Sequence, residues 1–313
     1  MRWSFERRAR NPLWPGVMEF ERQVDVTTPY RLDLTVSVLR RFSTNVVDVV
    51  RPDGTYVRAL EGGAAPTFVH VRQLGPAELG VRVEGEGDPA RAIGVVRRML
   101  GTSRSVPRFD RAAARIAWLR DLARRMRGVK PPRYASLWEA CVNAIVFQQI
   151  SLLAASAILR RTVIALGARL YVEGIELYAF PSAATLLGTP DDALRAGGLS
   201  ASKIATLRRV AAALLAGDLD EAQLEHQTTA DAAATLCAIK GVGAWTAALI
   251  LLRGLGRLDL FPPSDSGIAR SAASLAAGGA EVDVPAALAL LGDERGMLYY
   301  HFLLARLEAR GDI

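Results

Sequence analysis

The chain has 313 residues, half of them hydrophobic, with 39 Lys and Arg against 32 Asp and Glu and a formal net charge of +7. That length can bury a large core and predicts about two domains, while two distant cysteines, Cys141 and Cys237, without a CxxC argue against a disulfide framework or a thiolate-ligated cluster. No apolar run reaches the roughly 20 residues of a membrane span, and charges interrupt the N-terminus where an export signal needs an apolar stretch, so a cytoplasmic protein with no membrane partner is expected.

From 19 to 85, short segments rich in Val, Thr and Tyr ("FERQVDVTT", "NVVDVVR", "TYVRALE", "TFVHVRQ", "LGVRVEG") alternate with Gly, Pro and Asp turns and predict an antiparallel sheet. Asp53-Gly54 between two of them is a two-residue hairpin signal. "YRLDLTVSVLRRF" fits strand or helix by pattern, and a helix across the sheet is favoured. "DPARAIGVVRRMLG" is a second helix, opened by an Asp cap and a Pro. From about 108 onward every segment reads as helical, with caps such as "TPDDAL" and "TTADAAATL". Twelve basic residues between Arg97 and Arg133 face only Asp110 and Asp121. Such an excess suits a polyanionic partner, although a solvated helix face in an arginine-rich chain gives the same pattern.

"LCAIKGVGAWTAALIL", residues 236–251, breaks an apolar helical pattern at Gly241 and Gly243. The spacing predicts two packed helices joined by a tight hairpin, the second starting with unpaired N–H groups that a phosphate can approach. On its own the stretch reads as a plain turn between helices. About twenty residues later, "LDLFPPSDSGIARSAASLAA" runs through Pro262 and Pro263 into a helix with Asp265 at its start, where an Asp is ordinarily a cap.

The hairpin, the Pro-preceded Asp265 and three further stretches in order, "SLWEACVNAIVFQQISLLAA", "LRAGGLSASKIATLRRVA" and "YYHFLLA", resemble the helix-hairpin-helix DNA glycosylase superfamily, closest to its AlkA type, the 3-methyladenine DNA glycosylases II. The resemblance covers 130–307. It implies an α+β fold: an N-terminal extension at 1–18, an antiparallel β/α domain like the TATA-binding protein at 19–105, and an all-α glycosylase region at 106–313 with two helical subdomains around a cleft. It implies monofunctional hydrolysis of the N-glycosidic bond of alkylated purines, of the 3-methyladenine and 7-methylguanine type, flipped out of double-stranded DNA, by a monomer that requires no cofactor.

Carried over residue by residue, Asp265 falls at the catalytic carboxylate, Gln149 at the wedge that fills the gap left by the flipped nucleotide, and Trp245, Leu249 and Phe147 at the base pocket. Lys240, Gly241, Gly243 and Thr246 would hold a DNA phosphate, and the carbonyls of Cys237, Ile239 and Val242 a Na⁺ or K⁺ ion. One carboxylate suffices in principle, because it can stabilise an oxocarbenium-like sugar and orient water. Gln148 is read as a structural hydrogen bond, and His301 and Tyr134 as core. Trp245 stands where lyase members keep a nucleophilic lysine, which argues for water as nucleophile. A glycosylase/lyase for oxidised bases such as 8-oxoguanine and a non-catalytic DNA-binding protein are the alternatives. The sequence departs from the AlkA pattern at two further pocket aromatics, which fall at Leu249 and Glu294; Phe147, Trp138, Tyr299 and Tyr300 are the aromatics available to compensate.

Overall fold

In the computed structural model, residues 18–60, 66–277 and 281–313 are described; the expected extension at 1–18 lies outside them except for Met18. The chain opens with β1 (Met18–Asp25), α1 (Leu32–Arg40), β2 (Val49–Val50), β3 (Tyr56–Leu60), β4 (Thr67–Gly75), β5 (Glu78–Gly85) and α2 (Pro89–Met99). The strands form one antiparallel sheet in the order β1-β5-β4-β3-β2. Alternation sends Val69, Val71, Val81 and Val83 to one face, where they meet Ile93 and Val96 of α2 and Leu32, Val36 and Leu39 of α1. Asp88 caps α2 by accepting the Ala90 N–H at 2.9 Å, with Pro89 in the first turn.

The ambiguous pattern of α1 has a packing cause. Leu32, Val36 and Leu39 face the sheet core while Leu34 and Val38 enter a second apolar cluster, so apolar residues occur on two sides and blur the helical period. The Asp53-Gly54 hairpin forms with a longer loop than expected. Arg51 N–H donates to the Thr55 carbonyl at 2.9 Å, which leaves Pro52, Asp53 and Gly54 in the turn. Pro52 has no N–H with which to close a two-residue loop against Thr55.

Then follow α3 (Pro107–Ala113), α4 (Ala117–Arg125), α5 (Leu137–Val146), α6 (Leu152–Leu166), β6 (Arg169–Val172), β7 (Ile175–Tyr178), α7 (Ala183–Gly188), α8 (Asp191–Ala196), α9 (Ala201–Ala216), α10 (Glu221–His226), α11 (Thr229–Cys237), α12 (Ala244–Ile250) running into a π-helical turn at Leu251–Leu255, α13 (Ser266–Ala277), α14 (Val284–Leu291) and α15 (Met297–Glu308). The region after 108 is therefore not wholly helical. β6 and β7 pair as a hairpin through Glu173 and Gly174, whose φ values of +47° and +78° suit a tight primed turn. Val172 and Leu177 pack on Val57 and Ala59, covering the outer face of β3, and Glu173 pairs with Arg51 and Arg82. That cover explains why all five residues of β3 are buried.

Besides this small cluster on the outer face, two larger apolar clusters form among the described residues. The larger joins the inner sheet face to α5, α9, α11 and α12; the second collects α3, α4, α14 and α15 with Leu252 and Ile268. All ten residues of α5 are buried, and each fully buried Leu, Ile or Val among them contributes roughly 1.5–3 kcal/mol. Arg58 of β3 sits between sheet and helices, bonded to Asp48 at 2.7 Å and to Glu139 of α5. Among the described residues no helix is long and apolar enough to cross a membrane.

Candidate active site

A cavity of about 680 Å³ opens at the seam between the two clusters, walled by the α5–α6 junction and α12 on one side and by α13 and α15 on the other. Asp265 lines it at the start of α13. Its Oδ1 accepts the N–H groups of Gly267 at 2.8 Å and Ile268 at 2.9 Å, the arrangement of a helix cap. Its Oδ2 accepts the indole N–H of Trp245 at 2.8 Å. All three donors are neutral, so they orient the carboxylate without cancelling its charge.

Trp245 is half-buried on the same wall, with Leu249 one turn further along α12 and Phe147 opposite at the end of α5. Behind Phe147 lies the guanidinium of Arg41, 4.1 Å from the ring centroid. Arg41 is buried and donates to Asn143 at 3.2 Å and to Tyr134 at 2.5 Å, which gives Tyr134 the structural place expected of it. The other expected aromatics divide. Tyr299 lines the cavity, whereas Trp138 is buried with its N–H on the Pro181 carbonyl and Tyr300 with its hydroxyl on the Leu252 carbonyl. Glu294, aligned with a pocket aromatic, is not in the cavity: its carboxylate takes the Phe109 N–H at the start of α3. The C-terminal wall is built instead from Tyr299, Phe302, Leu303 and Arg306 of α15. These positions are spaced as one helical face, a pattern indistinguishable in sequence from a core stripe except for its arginine. His301, on another face, is buried, hydrogen-bonded through Nδ1 to the Met297 carbonyl at 2.9 Å and packed on Phe109.

Gln149 is exposed at the cavity rim with φ of +57°, a conformation sparsely populated by residues other than glycine. Gln148 turns the other way and ties the hairpin down, donating to the Gly241 carbonyl at 3.0 Å and to the Thr246 hydroxyl at 2.8 Å. Thr246 is thus buried with its hydroxyl committed, and any phosphate contact from it would come through backbone N–H. Gly241 has φ of +101°, and a Cβ there would lie 2.0 Å from Thr206 Oγ1, so the hairpin presses backbone against α9. Gly243 precedes α12, which no side chain caps, and a Cβ on it would meet nothing within 4 Å. Gly241, Gly243 and Thr246 line the cavity mouth, while Lys240 stands exposed beside it with its carbonyl held by Arg209 at 3.1 Å. Of the three carbonyls read as cation ligands, that of Ile239 accepts the Val242 N–H at 2.9 Å and keeps a second lone pair. Among the described residues no cluster of His, Cys, Asp and Glu is placed to hold a metal. No lysine lines the cavity: Lys203 donates to the Val146 carbonyl at 2.8 Å, and Lys130 is buried elsewhere.

No protein-family model matches the chain. YfjP of Bacillus subtilis, named as a candidate DNA-3-methyladenine glycosylase, is 27% identical over 252 residues, which is 80% of this chain and 85% of that protein. A protein of Mycobacterium tuberculosis named as the bifunctional transcriptional activator/DNA repair enzyme AlkA is 34% identical over 161 residues, 50% of this chain and 31% of that one. Among solved structures, the 3-methyladenine DNA-glycosylase from Archaeoglobus fulgidus superposes with a TM-score of 0.73 at 24% identity, covering 91% of this chain and 98% of the other. The 8-oxoguanine glycosylase/lyase of Clostridium acetobutylicum, at 16% identity and a TM-score of 0.68, covers 99% of both chains, so the fold by itself does not separate hydrolases from lyases. By sequence the chain is similar to proteins named as DNA-3-methyladenine glycosylases, enzymes that cleave N-glycosidic bonds, and its fold is that of solved DNA glycosylases.

Proposed function

We propose that this protein is a monofunctional DNA glycosylase of base excision repair that removes alkylated purines, of the 3-methyladenine and 7-methylguanine type, from double-stranded DNA, acting as a monomer. The observation that carries the reading is Asp265: a carboxylate fixed by three neutral donors inside a cavity that holds no lysine.

The chemistry follows from that geometry. The glycosidic bond lies inside the duplex stack, so the nucleotide has to be turned out before the bond can enter the cavity. Gln149 at the rim would fill the gap. The uncapped start of α12 and the bare backbone at Gly243 would hold a phosphate without reading sequence. Phe147, Trp245 and Tyr299 offer aromatic surface to the base. As the bond to the base lengthens, positive charge grows on the sugar, and Asp265 stabilises it and orients the water that attacks C1′. Helix and indole hold the carboxylate in place beforehand, so little reorganisation accompanies the reaction.

The test is incubation of methylated duplex DNA with the protein and identification of released bases by mass. Free 3-methyladenine or 7-methylguanine is expected, without strand cleavage and without a borohydride-trapped adduct. A trapped covalent adduct would show an amine nucleophile and overturn the monofunctional reading; binding with no release would leave a DNA-binding protein only.

A further inference from the structure

Arg41, in the N-terminal β/α part of the chain, is a buried cation that the chemistry above leaves unused. It follows α1 at a φ of +58°, a backbone conformation that residues other than glycine rarely adopt, and it is 6% exposed. Two of its five N–H groups find acceptors, in Asn143 and Tyr134, and its Nε is buried with none among the described residues. No described carboxylate pairs with it: Asp48 and Glu139, the buried acids of this region, are both bonded to Arg58. Arg253, wholly buried 4.6 Å from the centroid of the Tyr134 ring, is a third guanidinium with no acid of its own. Three buried guanidiniums therefore share two carboxylates. Their field extends to the cavity: burial raises the pKa of Tyr299 in its wall, and Arg253 and Arg41 pull against that rise. The Arg41 guanidinium lies 4.1 Å from the centroid of Phe147, which lines the cavity, whereas Arg41 does not.

Resting on the glycosylase reading, we propose that Arg41 is a positioning residue that acts through Phe147: it fixes a positive charge at the base end of the scissile bond, opposite Asp265 at the sugar end. Breaking the C1′–N bond sends its electron pair to the base, so the base end becomes more negative by one charge and the sugar more positive by one. Water adds to C1′ and its proton goes to solvent through Asp265. A base made cationic by alkylation leaves neutral, and an uncharged one leaves as an anion that takes a proton from solvent. Either way positive charge moves away from Arg41 and toward Asp265, and two fixed charges so placed favour the transition state over the bound substrate. A base stacked on the near face of Phe147 would lie roughly 8 Å from the guanidinium, where one unit of charge at an effective dielectric of about 20 changes a rate on the order of 10-fold. The same charge opposes entry of a cationic base, because the electron density of the ring is already drawn to a cation on its far face. Arg41 thus sets affinity and rate against each other.

The experiment compares the native protein with Arg41→Lys, which keeps the charge, and with two uncharged replacements, Arg41→Gln and Arg41→Met. Single-turnover excision of 7-methylguanine at saturating protein is measured beside melting temperature. Affinity is measured for a duplex carrying the cleavage-resistant 2′-fluoro analogue of the same cationic nucleotide, relative to an undamaged duplex. Both uncharged variants are expected to excise ~10-fold more slowly, yet to prefer the cationic analogue over undamaged DNA at least as strongly as the native protein does, and Arg41→Lys is expected to recover most of the rate. A side chain that merely props Phe147 in place would lower rate and preference together, and lysine, a point charge without the planar fork, would not restore them. That result overturns the proposal, as do unchanged rates or the failure of both uncharged variants to fold, and each leaves the glycosylase reading standing. If the native protein itself releases no base, both readings fall.

Discussion

Asp265 divides its two oxygens between architecture and cavity, and the division makes its role separable by mutation. Asp265→Asn has one acceptor left. If that oxygen keeps the N–H groups of Gly267 and Ile268, the amide NH₂ is turned against the Trp245 N–H, donor to donor. The cap survives and the indole bond is lost, at about 1 kcal/mol of stability. The negative charge opposite the developing sugar cation is lost as well, and single-turnover excision should fall by ~10²–10³ while DNA binding persists. Comparing excision of 7-methylguanine with melting temperature decides the matter: an Asn variant that works at the native rate, or that simply melts, makes Asp265 a cap alone. The cap was readable from a Pro-preceded Asp at a helix start. The indole bond was not, because twenty residues and a π-helical turn separate its partners and no local pattern reports that they converge.

The hairpin between α11 and α12 sets two glycines under different constraints. Gly241→Ala combines φ of +101° with a collision against Thr206 and should destabilise the protein by about 1–3 kcal/mol, read as a lower denaturant midpoint. Gly243→Val meets open space at an ordinary extended φ of −98°, so the fold should lose no more than ~0.5 kcal/mol, while the added side chain blocks the approach to the start of α12. Titration at fixed salt should show weaker binding to damaged and intact duplexes alike. Undiminished binding to both would reduce the hairpin to a connector. This element was legible because glycine spacing and helical periodicity are local signals. β6–β7 was missed although Glu173-Gly174 separates two short alternating runs, because four-residue strands between long helices carry too little periodicity to stand out. The C-terminal wall was half legible: Tyr299 was among the candidates, but an inward helix face has the same spacing whether it meets a core or a cavity, and alignment to Glu294 missed it by most of two turns.

At the scale of the molecule, sheet and helices share one continuous core, and the chain returns to the sheet twice, through Arg58 to Glu139 and through β6–β7 on the outer face. Segment patterning and the family resemblance pointed to the class of fold, but not to this interlocking, which depends on long-range pairs. It also places two imidazoles where protonation is opposed. Burial pushes His301 down to about 4, and burial with the Arg82 guanidinium does the same to His70. Both lie below the ordinary 6.5 of an unfolded chain, so above pH 6.5 folded and unfolded states are equally neutral and neither histidine affects stability. As pH falls from 6.5 toward 4 the unfolded state takes up protons that the folded state refuses, and stability falls by up to about 1.4 kcal/mol per pH unit for each group. Below about 4 the folded imidazoles titrate too and the loss levels off near 3 kcal/mol each. Carboxylates add their own acid dependence, so the contribution is isolated by difference. His301→Phe keeps an aromatic ring against Phe109 and removes one titration. Denaturant midpoints at pH 7.5, 6.0 and 4.5 should show the variant losing less stability than the native protein across the two lower values, by about 2 kcal/mol at pH 4.5, whatever its offset at pH 7.5. Parallel curves would mean that the folded protein accepts a proton on His301 as readily as the unfolded chain, which a ring 2% exposed, with Nδ1 on a helix carbonyl, is not built to do.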